Sequence, residues 1–384
     1  MGKFKLFLII FLLLVAQAQA QVNNGVFRMD ELRSPQKRTI ISIPDVNGYI
    51  VLKCDFHMHT VFSDGSVWPV IRLQEAWEEG LDAISITDHI EYNPHKNEVN
   101  TTDNNQPYEL IKNDAVKSNI ILIKGAEITR NTPPGHFNAL FISDASGYIR
   151  NPAKEEDKEA ILKAVSQDAF IFWNHPGWKP NIEGSYEWIE FVNDLYKEKT
   201  IHGIEVFNGF GFHMKALDWC VDKGLTVMGS SDSHGLIKST YDIDEDYVHR
   251  TMTLILAKDR SAASIREALH DGRTIAWASK YLAGKEDNVR NLVNACVKIM
   301  PSHYSDNMSN NPGTALKYYE IKNLSDLYFE LELKAGNTAN KKIILYPGSS
   351  QLISASGGQS SLTYEVVTAF VRSDKHLVID FSLR

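Results

Sequence analysis

Nine side chains able to ligate a metal stand at the ends of strand-like runs: His57, His59, Asp64, His89, Glu127, His136, His175, Asp232 and His234. Imidazole suits zinc, iron or manganese, and carboxylates can bridge two cations, so the set offers donors for two or three ions in one pocket. Metal-assisted hydrolysis is the chemistry such a pocket performs. One His-x-His pair, here His57-Met58-His59, is weak evidence by itself, since a single histidine is at least as often a satisfied core residue. Placement decides between these readings, and placement is set by the elements around each residue.

From Tyr49 the chain alternates strand-like and helix-like segments. Residues 51–56 read as a buried strand. Residues 69–79 read as a helix with Val70, Leu73 and Trp77 on one face and Gly80 as its stop. Residues 83–87, 120–124, 169–173, 201–207 and 225–228 are short β-rich runs, and 155–167, 186–197 and 213–223 carry helix-spaced apolar residues. Repeated β-then-α units predict a parallel sheet rolled into a barrel, whose strand C-termini share one rim. His57 and His59, His89, Glu127, His175, and Asp232 with His234 each follow such a run, so one rim would gather them. The i, i+2 spacing of His57/His59 and Asp232/His234 points both members of each pair the same way from an extended backbone. His95, His202, His213, His249, His270, His303 and His376 lack this placement and read as ordinary histidines.

The ends of the chain read differently. Lys3 and Lys5, an apolar run from Leu6 to Val15 and Ala18-Gln19-Ala20 read as a secretory signal peptide over residues 1–20, leaving no membrane segment after cleavage. Residues 21–47 are polar and irregular and read as an N-terminal arm. The long polar stretch 92–106 reads as a loop near the mouth. After a helix-like 287–297, alternating runs such as Phe329-Glu330-Leu331-Glu332-Leu333 predict antiparallel strands with one wet face. The expected organisation is therefore a metal-site domain over 48–285 and a helix plus a small β-sandwich-like domain over 286–384. The 384 residues and 43% hydrophobic content are ample for both. A formal charge of −8 excludes a sequence-independent nucleic-acid binder, which needs a basic footprint. Cys54, Cys220 and Cys296 are no disulfide framework and read as buried thiols.

With these motifs in order, the chain resembles the PHP (polymerase and histidinol phosphatase) family over roughly residues 50–280. The residues that carry the likeness are His57-Met58-His59-Thr60 with Ser63-Asp64-Gly65, Thr87-Asp88-His89, Asn174-His175-Pro176 and Ser231-Asp232-Ser233-His234. Gly125-Ala126-Glu127 and Gly135-His136-Phe137-Asn138 fit the intervening positions. The resemblance implies an α/β fold, a distorted (β/α)7 barrel with a trinuclear site. His57, His59, Glu127 and Asp232 would hold the first metal, Glu127 would bridge to a second held by His136 and His175, and Asp64, His89 and His234 would hold the third. Several relatives have histidine where this chain has Asp64. The leader and β-rich C-terminal region look like a secreted phosphodiesterase branch, located in the periplasm or outside the cell.

The implied activity is hydrolysis of a small-molecule phosphate ester by a metal-activated hydroxide held at His57, His59, Glu127 and Asp232, with zinc, manganese or iron as cofactor. Arg130 and Arg250 are candidates to hold a phosphoryl oxygen, against structural salt bridges as the alternative. Glu205 is a candidate to face substrate or to orient a ligand histidine. Trp178 and Phe210 could line the pocket or simply pack. The alternatives to a phosphodiesterase are a phosphomonoesterase of histidinol-phosphatase type, a metal-dependent hydrolase of a non-phosphorus ester or amide, and a non-catalytic metal-containing module.

Overall fold

The computed structural model describes Met29, Leu32 and residues 36–383 apart from 100, 147–157, 244, 246–247, 306–315 and 357, with backbone only over 301–305. The expected signal peptide lies outside the described residues, as do 21–28, 30–31 and 33–35 of the arm. Among those described, no helix is long and apolar enough to cross a membrane.

The first half of the expected metal-site region alternates strand and helix. It runs β1 (Ile50–Asp55), α1 (Pro69–Glu78), β2 (Ala83–Ile84), α2 (Gln106–Lys117) and β3 (Ile121–Leu122). Then come β4 (Gly125–Ile128), β5 (Phe137–Leu140), α3 (Glu159–Val165), β6 (Phe170–Trp173), α4 (Glu190–Lys197), β7 (Gly203–Asn208) and β8 (Gly211–Phe212). The region closes with α5 (Met214–Lys223), β9 (Thr226–Ser230), α6 (Ile237–Thr240), β10 (Met252–Ala257), α7 (Ala262–His270), β11 (Thr274–Ala278) and β12 (Tyr281–Gly284). Local chemistry explains the boundaries. Pro69 opens α1 where its missing N–H costs nothing, Gly224 ends α5 at φ +72°, and the Ser261 hydroxyl caps α7 by accepting from Ser264 N.

β1, β2 and β3 are parallel neighbours, whereas β10 runs antiparallel to β1 with Leu52 opposite Ile255. The second sheet has the order β4-β5-β6-β7-β8, with β9 also parallel to β7. Here β4/β5 and β5/β6 are antiparallel. The strand pairing thus describes two mixed sheets, and the expected ring of parallel strands is met only in part. The connection from Ile128 to Phe137 is too short for a crossover helix, which takes about a dozen residues or more, so β5 must return antiparallel. Two isolated parallel bridges, Met58 to Ser233 and His89 to Glu127, join the sheets at their strand ends.

The C-terminal region follows α8 (Glu286–Cys296). Its strands are β13 (Val297–Ser305), β14 (Leu316–Asn323), β15 (Phe329–Ala335), β16 (Lys342–Leu345), β17 (Ser350–Ser356), β18 (Ser361–Arg372) and β19 (Lys375–Ser382). β13, β14 and β17 form one antiparallel sheet. The other is not separate, because β18 pairs in parallel with β12, placing Leu282 opposite Ala369. One ten-stranded sheet therefore runs across the expected boundary at 285/286. Leu254 and Trp277 share an apolar core with Leu331, Tyr364 and Ile379. The three cysteines are buried and unbridged.

Candidate metal centre

The ligand-bearing segments are held by buried charge. Beyond β1 the chain stays extended, and His59 N donates to Ser233 O at 3.0 Å while Asp232 N donates to His57 O at 2.8 Å. Arg72, fully buried on α1, fastens both segments. Its Nε donates to His59 O (2.9 Å), its Nη2 to Ser233 O (2.8 Å), and its Nη1 to Gly235 O (2.8 Å) and Glu75 (2.9 Å). Asp55 accepts from the Ser231 hydroxyl (2.6 Å) and Ser231 N (3.1 Å). Asp88 gathers the loop before Asp64, accepting from Thr60 N, Thr60 Oγ1 and Ser63 Oγ, each at 2.6 Å. That loop needs glycine at 65, since a Cβ there would lie 2.7 Å from His59 C and Thr60 N. His175 (φ +29°) and Asp232 (φ +50°) adopt left-handed backbone, a local strain of about 1 kcal/mol or more that the surrounding bonds hold in place.

All nine expected ligands meet in one cluster. The closest groupings are His59, Asp64, His89 and His234; His57, His59 and Asp232; His57, Glu127 and His175; and His89, Glu127 and His136. Glu127, fully buried, sits at the middle. Its Oε2 lies 3.2 Å from His57 Nε2, 3.2 Å from His59 Nε2 and 3.1 Å from His89 Nδ1. Its Oε1 lies 2.9 Å from His136 Nδ1 and 3.7 Å from His175 Nε2, and accepts from Asn174 Nδ2 at 2.8 Å. The two oxygens therefore face different imidazole sets, as a bridging carboxylate would.

Tautomers follow from the outer partners. His57 Nδ1 donates to Glu205 Oε1 at 2.8 Å, and His234 Nδ1 to the Asp232 carbonyl at 2.9 Å. Ser63 Oγ gives its proton to Asp88, so it accepts from His59 Nδ1 at 3.2 Å. In each neutral ring the lone pair is then on Nε2, which is the nitrogen turned toward carboxylate oxygens. His59 Nε2 is 3.1 Å from Asp232 Oδ1 and His234 Nε2 is 3.2 Å from Asp64 Oδ1. Yet His59 Nε2, Asp64 Oδ1 and His175 Nδ1 are buried with no partner in hydrogen-bonding geometry. Lone pairs aimed at anions repel unless a cation lies between them, so these residues fit metal ions.

Protonation shifts tell the same story. Burial alone would lower the pKa of His59, but with no cation between them the Asp232 and Glu127 carboxylates beside Nε2 raise it to about 10, drawing a proton where a metal ion would sit. His57 is likewise raised well above the usual imidazole range, the carboxylates of Asp232, Glu205 and Glu127 overcoming burial. Burial would raise Asp64, Glu127 and Asp232, but the surrounding histidines hold all three well below the ordinary carboxylate range. Positive charge is what the cluster lacks.

Three expected substrate contacts have other partners. Arg130 is buried and donates to Glu91 Oε1 and Thr129 O, both at 2.7 Å. Arg250 is fully buried, clamps Glu79 at 2.8 and 2.9 Å and reaches Asp55 at 3.4 Å. Glu205 is fully buried and holds His57, His175 N (2.9 Å) and Asn208 (2.8 Å), so it orients ligands and does not face substrate. Sequence reasoning missed the positioning work of Arg72, Asp88, Asn174 and Asn208, and of Asn138, which donates to Phe56 O at 3.1 Å and accepts from Asn174 Nδ2 at 2.9 Å. Asp88 and Asn174 immediately precede candidate ligands, a signal that could have found them, whereas nothing local marks Arg72.

Residues 297–382 match a family described as an Ig-like domain. A solved two-domain protein of Bacteroides vulgatus, containing a predicted PHP-like metal-dependent phosphoesterase, is 41% identical, with 91% of this chain and 100% of that chain aligned and a TM-score of 0.83. An uncharacterized protein of Methanocaldococcus jannaschii is 27% identical over 197 residues, 48% of this chain and 82% of its own length. The chain belongs to the PHP-like metal-dependent phosphoesterases, in a two-domain form whose C-terminal part is an Ig-like all-β domain.

Proposed function

We propose that this protein is a secreted or periplasmic phosphodiesterase working with two or three divalent transition metals, zinc, manganese or iron. The observation that carries the metal reading is that Nε2 of His57, His59 and His234, with Nδ1 of each ring occupied, is turned toward the carboxylates of Glu127, Asp232 and Asp64. In this reading His57, His59, Glu127 and Asp232 hold one cation, Glu127, His136 and His175 a second, and Asp64, His89 and His234 a third. When bound, the cations supply Lewis-acid charge to the phosphoryl oxygens and lower the pKa of the attacking water. The protein's own share is orientation. Glu205 keeps His57 in the tautomer that ligates, the Asp88–Ser63 pair does so for His59, and Arg72 keeps the two segments in register. The two bridges between strand ends support reading the sheets as a distorted barrel.

A diester is favoured over a monoester by charge. A monoester brings a second negative charge, and the arginines expected to receive it are spent on Glu91, Glu79 and Asp55. The leader-like N-terminus is the support for export, which cell fractionation tests. Activity is tested with nitrophenyl phosphodiester, phosphomonoester and carboxylate ester substrates after elemental analysis of the purified protein. Diester hydrolysis that a chelator abolishes and added metal restores is the expected result. A faster carboxylate ester would favour the non-phosphorus hydrolase, and less than one metal per chain after reconstitution would overturn the site.

A further inference from the structure

Two large aromatic side chains stand exposed against the ligand histidines. Trp178 is 46% exposed, yet its ring centre lies 5.6 Å from that of His136 and 5.5 Å from that of His175. Tyr92 is 52% exposed with its ring 6.1 Å from His89. His89 and His136 are themselves 5.3 Å apart, so both aromatic rings border the same arc of the cluster. The backbone at Trp178 is held there, because its main-chain N–H donates to His175 O at 3.0 Å in a tight turn. Lys179 Nζ lies 4.2 Å over the indole, an exposed cation–π contact weak enough for another ring to displace.

Resting on the phosphoesterase reading above, we propose that Trp178 stacks an aromatic ring of the substrate and makes this enzyme selective for aryl phosphodiesters. Distance narrows the class. The indole is one ring contact from two candidate ligands, so the stacked group must sit next to phosphorus, joined through the ester oxygen alone. A nucleobase is set off from its 5′ phosphate by a sugar and would overshoot. An aromatic stack of this kind contributes about a tenfold preference.

The test measures binding, not turnover, on the full chain loaded with manganese. Calorimetry compares benzyl(methyl)phosphinate with dimethylphosphinate, two singly charged, non-hydrolysable diester mimics in which CH2 or CH3 stands where an ester oxygen would be and which differ only in the ring. The benzyl compound is expected to bind about 10-fold more tightly to the wild type. In W178A that ratio should fall to about 2-fold or less, with dimethylphosphinate affinity and metal content unchanged. W178F should keep most of the preference, and W178L, which retains apolar bulk without a ring, should lose it. Should W178A lose metal, the comparison of W178F with W178L decides. A wild type that does not prefer the phenyl group, or a preference that survives in W178L, overturns the inference. A metal-loaded wild type that binds neither phosphinate overturns the phosphoesterase reading itself.

Discussion

A histidine whose Nδ1–H is tied to an acceptor has only Nε2 left to offer, and His57, His59 and His234 are arranged this way by Glu205, Ser63 and a backbone carbonyl. Glu205 is the most consequential of these partners, since it also fixes the left-handed turn at His175 through that residue's N–H. Glu205→Gln keeps a hydrogen-bond acceptor but removes the charge, and metal affinity is expected to fall about 10- to 100-fold with the fold intact, as read by competition with a chelating dye. Removing a ligand is more severe. His57→Ala and Asp232→Ala should each lower phosphodiester hydrolysis by about 10³-fold or more, and rates within a few-fold of wild type would refute their assignment. Ligand types and spacing were legible in the chain because i, i+2 pairs and strand-end placement are local facts. Arg130 and Arg250 stayed open between phosphoryl contact and salt bridge because their partners decide their role. Glu79 is far from Arg250 in sequence, and nothing in either local pattern announces the pair.

Strand ends do the gathering. β1, β6 and β9 each end two residues before a candidate ligand, Glu127 lies within β4, and His89 follows β2 by five residues, which is why the alternation of short apolar runs with helix-spaced segments located the site in the sequence. Direction was not legible. Gly125–Ile128 and Phe137–Leu140 are short buried runs, and a buried run carries the same residues whether parallel or antiparallel; the short link between them settles it. The far end of β7 holds a different titratable pair. His202 accepts from Ile171 N through Nδ1 at 2.9 Å and packs on Phe170 and His270, with Asp168 and Arg266 nearby. Burial, with His270 adding to it, lowers the His202 pKa to about 4, and burial also lowers that of His270. Below about 6.5 the unfolded chain takes up a proton that the folded chain refuses until about 4, so stability falls as pH drops through that window. His202→Gln keeps an acceptor for Ile171 and removes the titration. Its urea midpoint should therefore fall less than wild type between pH 7.5 and 5, the difference amounting to about 1–3 kcal/mol.

The β12–β18 pairing turns what reads in the sequence as two domains into one continuous sheet. Alternation in residues 329–383 announced antiparallel strands with one buried face, and that face is where Leu331, Val366, Leu377 and Ile379 lie. Which partner covers it was not announced, because an alternating strand states only that one side is buried. Further contacts tie the regions together. Ser373 donates to Asp218 on α5 at 2.5 Å through its hydroxyl, Arg372 pairs with Asp222 at 2.7 Å, and Phe370 packs 4.9 Å from Phe212. Truncation after Lys285 would strip β18 from β12, leave an unpaired strand edge and expose Leu282 and Trp277 to water. Lower soluble yield and a lower melting temperature are expected, and the full-length chain should unfold in a single transition. The nine candidate ligands all precede residue 235, so whatever truncated protein folds should bind the same number of metals as the full chain. A well-folded truncated protein that had lost a metal would show that the Ig-like domain completes the centre. A truncated protein as stable as the full chain would show that the shared sheet is dispensable.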